Sequence, residues 1–98
     1  MAELGVCKSI DEIRDNIDRI DNEIIKFIAE RSTYVKQASK FKKDKQDVKS
    51  PKRVEQVIEK VRLLAARYNV DANIIEKVYR EMINNFINME MNDYNNQK

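Results

Sequence analysis

The stretch IDEIRDNIDRIDNEIIKFIAERSTYVKQASKF, residues 10–41, decides the fold. Its apolar side chains fall at Ile10, Ile13, Ile17, Ile20, Ile24 and Phe27, then at Tyr34, Ala38 and Phe41. Steps of three and four alternate, the repeat of a helix that buries a narrow seam against partner helices. No Gly or Pro interrupts the run. Ser9 stands as its N-cap, and Glu12 three residues on completes a capping box. A helix over 10–41 would be ~48 Å long, too long for a lone globule of this size, so it is expected to run the length of a bundle. One position breaks the seam. Between Phe27 and Tyr34 the register calls for an apolar residue and the chain supplies Arg31. Such an arginine either snorkels to the surface or is buried for a purpose, because an unpaired buried charge is costly.

Beyond Phe41 the periodicity stops and charge takes over in KKDKQDVK, residues 42–49, which reads as a loop. Ser50-Pro51 restarts a helix, with Ser as N-cap and Pro at its first position. Val54, Val57, Ile58, Val61, Leu64 and Ala65 form the apolar stripe of that helix, which ends near Tyr68-Asn69 in a left-handed Asn cap. Asp71 caps a third helix, striped by Ile74, Ile75, Val78, Tyr79, Met82, Ile83, Phe86 and Met89. Tyr79, Ile83 and Phe86 lie on one line, and the next residue on it is the ionisable Glu90. The polar segment from Asp93 is expected to fray. The expected organisation is therefore a flexible tail over 1–8, one helical domain over 9–94 and a tail over 95–98. One very long helix carries more seam than two shorter ones can cover, so the fold expected is all-α, a three-helix subunit in an intertwined helical dimer.

With 98 residues the chain makes one small domain that gains from oligomerisation. It is 37% charged and 42% hydrophobic, with one Gly and one Pro, a composition suited to helices. A net charge of +2 argues against a generic nucleic-acid binder. A local basic cluster stands out nonetheless, comprising Lys36, Lys40, Lys42, Lys43, Lys45, Lys49, Lys52 and Arg53, suited to a small anion as well as a polyanion. With Cys7 the lone cysteine and no histidine, internal disulfides, the usual zinc sites and Ser-His or Cys-His catalytic pairs are excluded. No metal or cofactor is expected. No signal peptide or membrane span is evident, so the expected location is the cytoplasm. Cys7 reads as an ordinary thiol in a poorly ordered tail.

Four residues stand out as candidates for chemistry: Arg14, Arg31, Lys42 and Glu90. Each has a bland alternative. Arg14 lies beside the seam and suits an intrahelical pair with Asp18. Lys42 is one lysine among many, and Glu90 suits the wet edge of its stripe.

Taken together, the motifs carry a resemblance. Ile-Arg-x-x-Ile-Asp-x-Ile-Asp, containing Arg14, is followed by Ala-Glu-Arg at 29–31, then by Tyr-Val-Lys-Gln-Ala-Ser-Lys-Phe-Lys ending in Lys42, then by Ser-Pro-Lys-Arg-Val at 50–54. Over roughly residues 9–94 the chain resembles the all-helical chorismate mutase family, and within it the isochorismate-pyruvate lyase branch. The resemblance implies an intertwined homodimer with two equivalent sites for a small dicarboxylate, chorismate or isochorismate. It implies that Arg14 reaches one substrate carboxylate from the partner subunit and Arg31 binds the other. Lys42 would meet the ether oxygen and a carboxylate, and Arg53 corresponds to the family's loop arginine. Helix geometry agrees with a crossing: Arg14 and Arg31 are about 26 Å apart along one helix, too far to clamp one small ligand, whereas Arg31 and Lys42 are about 16 Å apart.

The chemistry implied suits a chain without histidine. Chorismate rearranges to prephenate in one pericyclic step, and loss of pyruvate from isochorismate to leave salicylate is of the same kind. Neither needs a nucleophile or a metal. Each needs the enolpyruvyl arm held over the ring, for which arginines grip carboxylates through paired hydrogen bonds. Each also needs a cation facing the charge that grows on the ether oxygen, the role of Lys42. Glu90 falls where the family often has glutamine, a neutral donor to that oxygen, so Glu90 must be protonated to help. Mutases of the family usually follow the loop arginine with glutamate and place an acid shortly before it, both reading the ring hydroxyl of chorismate. Here those positions are Val54 and Ser50. A site without partners for a hydroxyl discriminates poorly in its favour, so the departure leans toward the lyase. A dedicated mutase, a mutase of an amino-chorismate, and a non-catalytic helical dimer sensing an aromatic metabolite are the alternatives.

Overall fold

A computed structural model describes residues 5–96. Its elements are α1 (Ile10–Ser39), α2 (Lys45–Lys49), α3 (Pro51–Arg67) and α4 (Ala72–Asn96), with no strand among the described residues. Three long helices are thus present as the periodicity requires, and α2 is an addition within the segment read as a loop. The chain divides between Val35 and Lys36 into two compact units.

The first unit is the greater part of α1. The Ser9 Oγ accepts the Glu12 N–H at 3.1 Å. The Glu12 carboxylate reaches back one residue further than the usual box, to the Lys8 N–H at 3.0 Å. Asp11 and Glu12 in the first turn face the positive end of the helix dipole. The Asn16 side-chain amide donates to Cys7 Sγ at 3.5 Å and to the Glu12 carbonyl at 3.0 Å. Cys7 and Lys8 are therefore fastened to the start of α1, where a loose tail was expected; residues 1–4 of that tail lie outside the described residues. No residue of α1 is buried. The seam from Ile10 to Phe27 is exposed along its length, between 41% and 58% at each of Ile10, Ile13, Ile17, Ile20, Ile24 and Phe27.

The second unit holds the core. α1 ends two residues earlier than its apolar pattern, because Lys40, Phe41 and Lys42 each donate three residues back, to Gln37, Ala38 and Ser39. This tighter winding closes the helix. Val48, Ile58, Val61, Ala65 and Ile83 are buried, one from α2, three from α3 and one from α4. Ile58, Val61 and Ala65 are the centre of the expected α3 stripe, with Val54 and Val57 half-buried at its edge. Ser50 holds the expected N-cap position of α3, its carbonyl accepting the Val54 N–H at 3.0 Å, but its side chain departs from expectation. The residue adopts a left-handed conformation, φ 41° and ψ 56°, and makes no side-chain cap on α3. Instead its hydroxyl donates to the Asp47 carbonyl and its N–H to the Gln46 carbonyl at 2.9 Å, so it closes α2. Pro51 opens α3 as its composition requires.

The α3–α4 corner follows the sequence closely. Asn69 is left-handed at φ 59°. Its N–H donates to Ala66 at 3.3 Å and that of Val70 to Ala65 at 2.9 Å, the paired bonds of a Schellman motif. Asp71 Oδ1 then accepts the Asn73 N–H at 2.8 Å and caps α4. α4 runs through Asn96, past the point where fraying was expected, and residues 97–98 lie outside the described residues.

One device was not visible in the apolar pattern. Arg80 on α4 grips Glu55 on α3 through two bonds of 2.9 Å and its Nε meets Glu76 at 2.7 Å. Glu76 also accepts from Arg62 at 2.8 Å, which in turn donates to Asn73 at 3.0 Å. The Arg80 guanidinium holds both Glu55 and Glu76 below their ordinary 4.5. Exposed pairs are individually weak, but a bidentate network fixes geometry between helices. Because these carboxyls titrate lower when folded, their contribution is present above about 4.5 and is lost as pH falls below it. Thermal melts from neutral pH down to pH ~3 should therefore show a falling midpoint. Arg80→Ala should lower the neutral-pH midpoint and make that acid dependence shallower; an Arg80→Ala chain with an unchanged acid profile would show the network to be inert.

Candidate functional site

The sequence candidates separate into three groups. Arg14 and Arg31 lie on α1 in the first unit. Arg14 is exposed, and the intrahelical pair with Asp18 does not form. Its side chain is left facing solvent beside the exposed seam. Arg31, the charge in the seam register, is half-buried.

Lys42 and Glu90 come together in the second unit. Lys42 sits just past the end of α1, and Glu90 lies on α4 four residues beyond the half-buried Phe86 and seven beyond the buried Ile83. The Lys42 Nζ donates to Glu90 Oε2 at 3.2 Å. Both side chains are largely withdrawn from water, at 21% and 13% exposure. Glu90 faces inward with the apolar line of α4, as its register implies, and the Lys42 ammonium and the Glu90 carboxylate hold each other, a contact that periodicity does not reveal. Each was assigned to the same ether oxygen, and a shared target is the signal that would have brought them together.

Arg53 stands apart. It is exposed near the start of α3 and lines a shallow groove with Gln46, Lys52 and Gln56, a groove that includes neither Lys42 nor Glu90. Val54 beside it is half-buried and apolar, and the hydroxyl of Ser50 is engaged by the Asp47 carbonyl. Neither offers a carboxylate to a ring hydroxyl.

Charge in this region is strongly biased. Residues 36–53 carry eight Lys or Arg and only two acids, Asp44 and Asp47, a net of +6, so the rest of the chain carries −4 against the overall +2. An anion approaching Lys42 meets a positive field that whole-chain balance conceals. Among the described residues no three His, Cys, Asp or Glu side chains group as metal ligands, and no helix is long and apolar enough to cross a membrane.

The model of the family described as chorismate mutase type II matches residues 13–91, the greater part of the chain. A chorismate mutase from Methanocaldococcus jannaschii is 37% identical over 73 residues, 74% of this chain and 74% of that protein. An isochorismate pyruvate lyase from Pseudomonas aeruginosa is 32% identical over 81 residues, 83% of this chain and 80% of that protein.

The ion pair has a measurable consequence. Removing Lys42 leaves a mostly buried carboxylate without its cation, which costs about 1 kcal/mol or more. In urea melts Lys42→Ala should be destabilised by that order, and the same change in a Glu90→Gln background should cost clearly less. Equal losses in both backgrounds would mean that the two groups are not coupled.

Proposed function

Since the chain belongs to the chorismate mutase type II family, an all-α family of enzymes, we propose that its principal reaction is the loss of pyruvate from isochorismate to leave salicylate, with the chorismate-to-prephenate rearrangement as a slower activity of the same site. The observation that carries this reading is the inward-facing Lys42–Glu90 pair, taken together with two sequence positions, Ser50 and Val54, that offer no carboxylate to the ring hydroxyl of chorismate. A cation withdrawn from water is what a breaking C–O bond requires, since charge grows on the ether oxygen and a preorganised ammonium meets it without reorganising.

In this mechanism Arg31 takes one substrate carboxylate and Arg14 of the partner subunit takes the other, each through its planar fork. Holding both ends of the substrate restricts the enolpyruvyl arm to the reactive conformer. Lys42 turns its hydrogen bond from Glu90 to the ether oxygen. Glu90 holds the Lys42 ammonium at the site until substrate arrives, and Arg53 supplies a further cation for the bound dianion. No nucleophile or cofactor takes part. The positive field of residues 36–53 favours a dianionic ligand at this end of the chain.

A second copy of the chain completes the reading. Six large apolar side chains of α1 stand about half exposed, and covering each contributes about 1 kcal/mol. Ile74, Val78 and Met89 leave apolar surface on α4 as well. A homodimer whose α1 helices lie against one another accounts for this surface and supplies Arg14 from outside. Ile17→Glu should yield a chain that sediments as a monomer, or fails to fold, and has lost turnover. A wild-type chain that sediments as a monomer at micromolar concentration would remove the basis for a shared site.

The conversion of a relative's activity to this chain is tested by supplying isochorismate and chorismate separately, reading salicylate by fluorescence and prephenate by absorbance. Fast salicylate with slow prephenate is expected. Fast prephenate alone would favour a dedicated mutase, the activity named for the Methanocaldococcus relative. Neither product would direct attention to an amino-chorismate or to a non-catalytic dimer.

A further inference from the structure

The segment between α1 and α3 is folded by its two acids. In a run of eight cations, Asp44 and Asp47 would be expected to pair with lysine side chains, yet each carboxylate accepts a backbone N–H. Asp44 Oδ1 accepts the Asp47 N–H at 2.9 Å, and the Asp44 carbonyl accepts the Val48 N–H at 3.1 Å, which starts α2. Asp47 Oδ2 accepts the Lys43 N–H at 3.0 Å, reaching back over the turn. The residue so held is the immediate neighbour of Lys42. On its other side the Lys42 N–H is held by the Ser39 carbonyl at 3.1 Å. Val48 then anchors this small unit. At 2% exposure it is the most buried of the five core side chains, and α2 packs on α4, the helix that carries Glu90. The Lys42 backbone is therefore fixed from both directions, by the close of α1 and by α2.

We propose that α2 is a positioning element for Lys42, with Asp47 as the positioning residue that links it to the chain beside Lys42 and Val48 as its anchor on α4. The inference rests on the role given above to Lys42. A lysine on a flexible four-carbon stem is a poor fixed charge unless its Cα is held, and a displacement near 1 Å at a reacting centre costs up to ~100-fold in rate. A five-residue helix adds little to global stability by itself. Asp47 touches no substrate in this account. It acts through the backbone between residues 43 and 47.

The test uses Asp47→Ala and Asp47→Asn, each in the wild-type chain and in a Lys42→Ala chain, with kcat, KM, the melting midpoint and the side-chain carboxyl 13C resonance of Glu90 at neutral pH. Asp47→Ala should lower kcat about tenfold, with KM and the melting midpoint little changed. Asp47→Asn should recover most of the loss, because an amide oxygen accepts the Lys43 N–H equally well. In the Lys42→Ala background Asp47→Ala should bring no further loss. The Glu90 resonance of Asp47→Ala should move toward that of Lys42→Ala. An unaltered kcat, an equal loss in both backgrounds, or an unmoved Glu90 resonance overturns the proposal. Should the wild-type chain turn over neither isochorismate nor chorismate, the proposed function fails on that result alone, and the Glu90 resonance still decides whether Asp47 controls the Lys42–Glu90 contact.

Discussion

Thirty residues of α1 bury none of their side chains, and this constraint governs the rest of the molecule. A soluble chain seldom keeps a continuous stripe of Ile and Phe in water. Among the described residues the buried core of the second unit amounts to five side chains, the largest of them isoleucine, a small core for a domain. Its α3–α4 corner is secured by a Schellman motif, an aspartate cap and a guanidinium clasping two carboxylates. These are local devices that hold without a large core. α1 is held at its start by the Ser9 cap and the contacts of Lys8 and Cys7, and its apolar stripe stays exposed; under the proposed function a partner surface covers that stripe.

The same economy of means appears where chemistry is proposed. Lys42 and Glu90 are two charges withdrawn from water at the edge of a very small core. Burying a pair of charges is expensive unless they hold each other, and such a pair in a chain with so little buried surface points to use in function as well as in stability. Around it the acids of the 36–53 segment are spent on backbone turns, leaving the positive field of its lysines uncancelled by local side-chain pairing with Asp44 or Asp47.

Much of this was legible in the sequence, and the reasons differ by element. α1 and α4 were readable because their apolar steps persist over many turns. The Asn69 and Asp71 caps were readable because few residues tolerate a left-handed conformation or terminate a helix with a side-chain oxygen. α2 was hidden because five residues carry no periodicity. Its signal was Asp44 and Asp47 three apart, a cap and its answering acid, submerged in lysines. Ser50 holds the N-cap position of α3 that its place before proline implies, but its hydroxyl is turned back to α2, which it also closes, and that second duty carries no signal in the sequence. The Arg80 network was invisible because it joins positions 25 apart on polar faces that periodicity does not weigh. For the candidate site, register alone placed Glu90 facing inward, while its pairing with Lys42 depends on how the chain turns after α1. Arg14 and Arg31 were singled out by resemblance and by a break in the seam, and the role proposed for Arg14 rests on a second subunit.

That dependence is the central claim, and mixing variants tests it most directly. Arg14→Ala and Lys42→Ala chains are each expected to be nearly inactive. Unfolded together and refolded, they form mixed dimers in which one site receives an intact Arg14 from one chain and an intact Lys42 from the other. If each site is built from two subunits, the mixture regains about a quarter of wild-type turnover, since about half the dimers are mixed and each carries one intact site. If the mixture is no more active than its components, Arg14 and Lys42 serve the same site from within one chain, and the shared-site account is wrong.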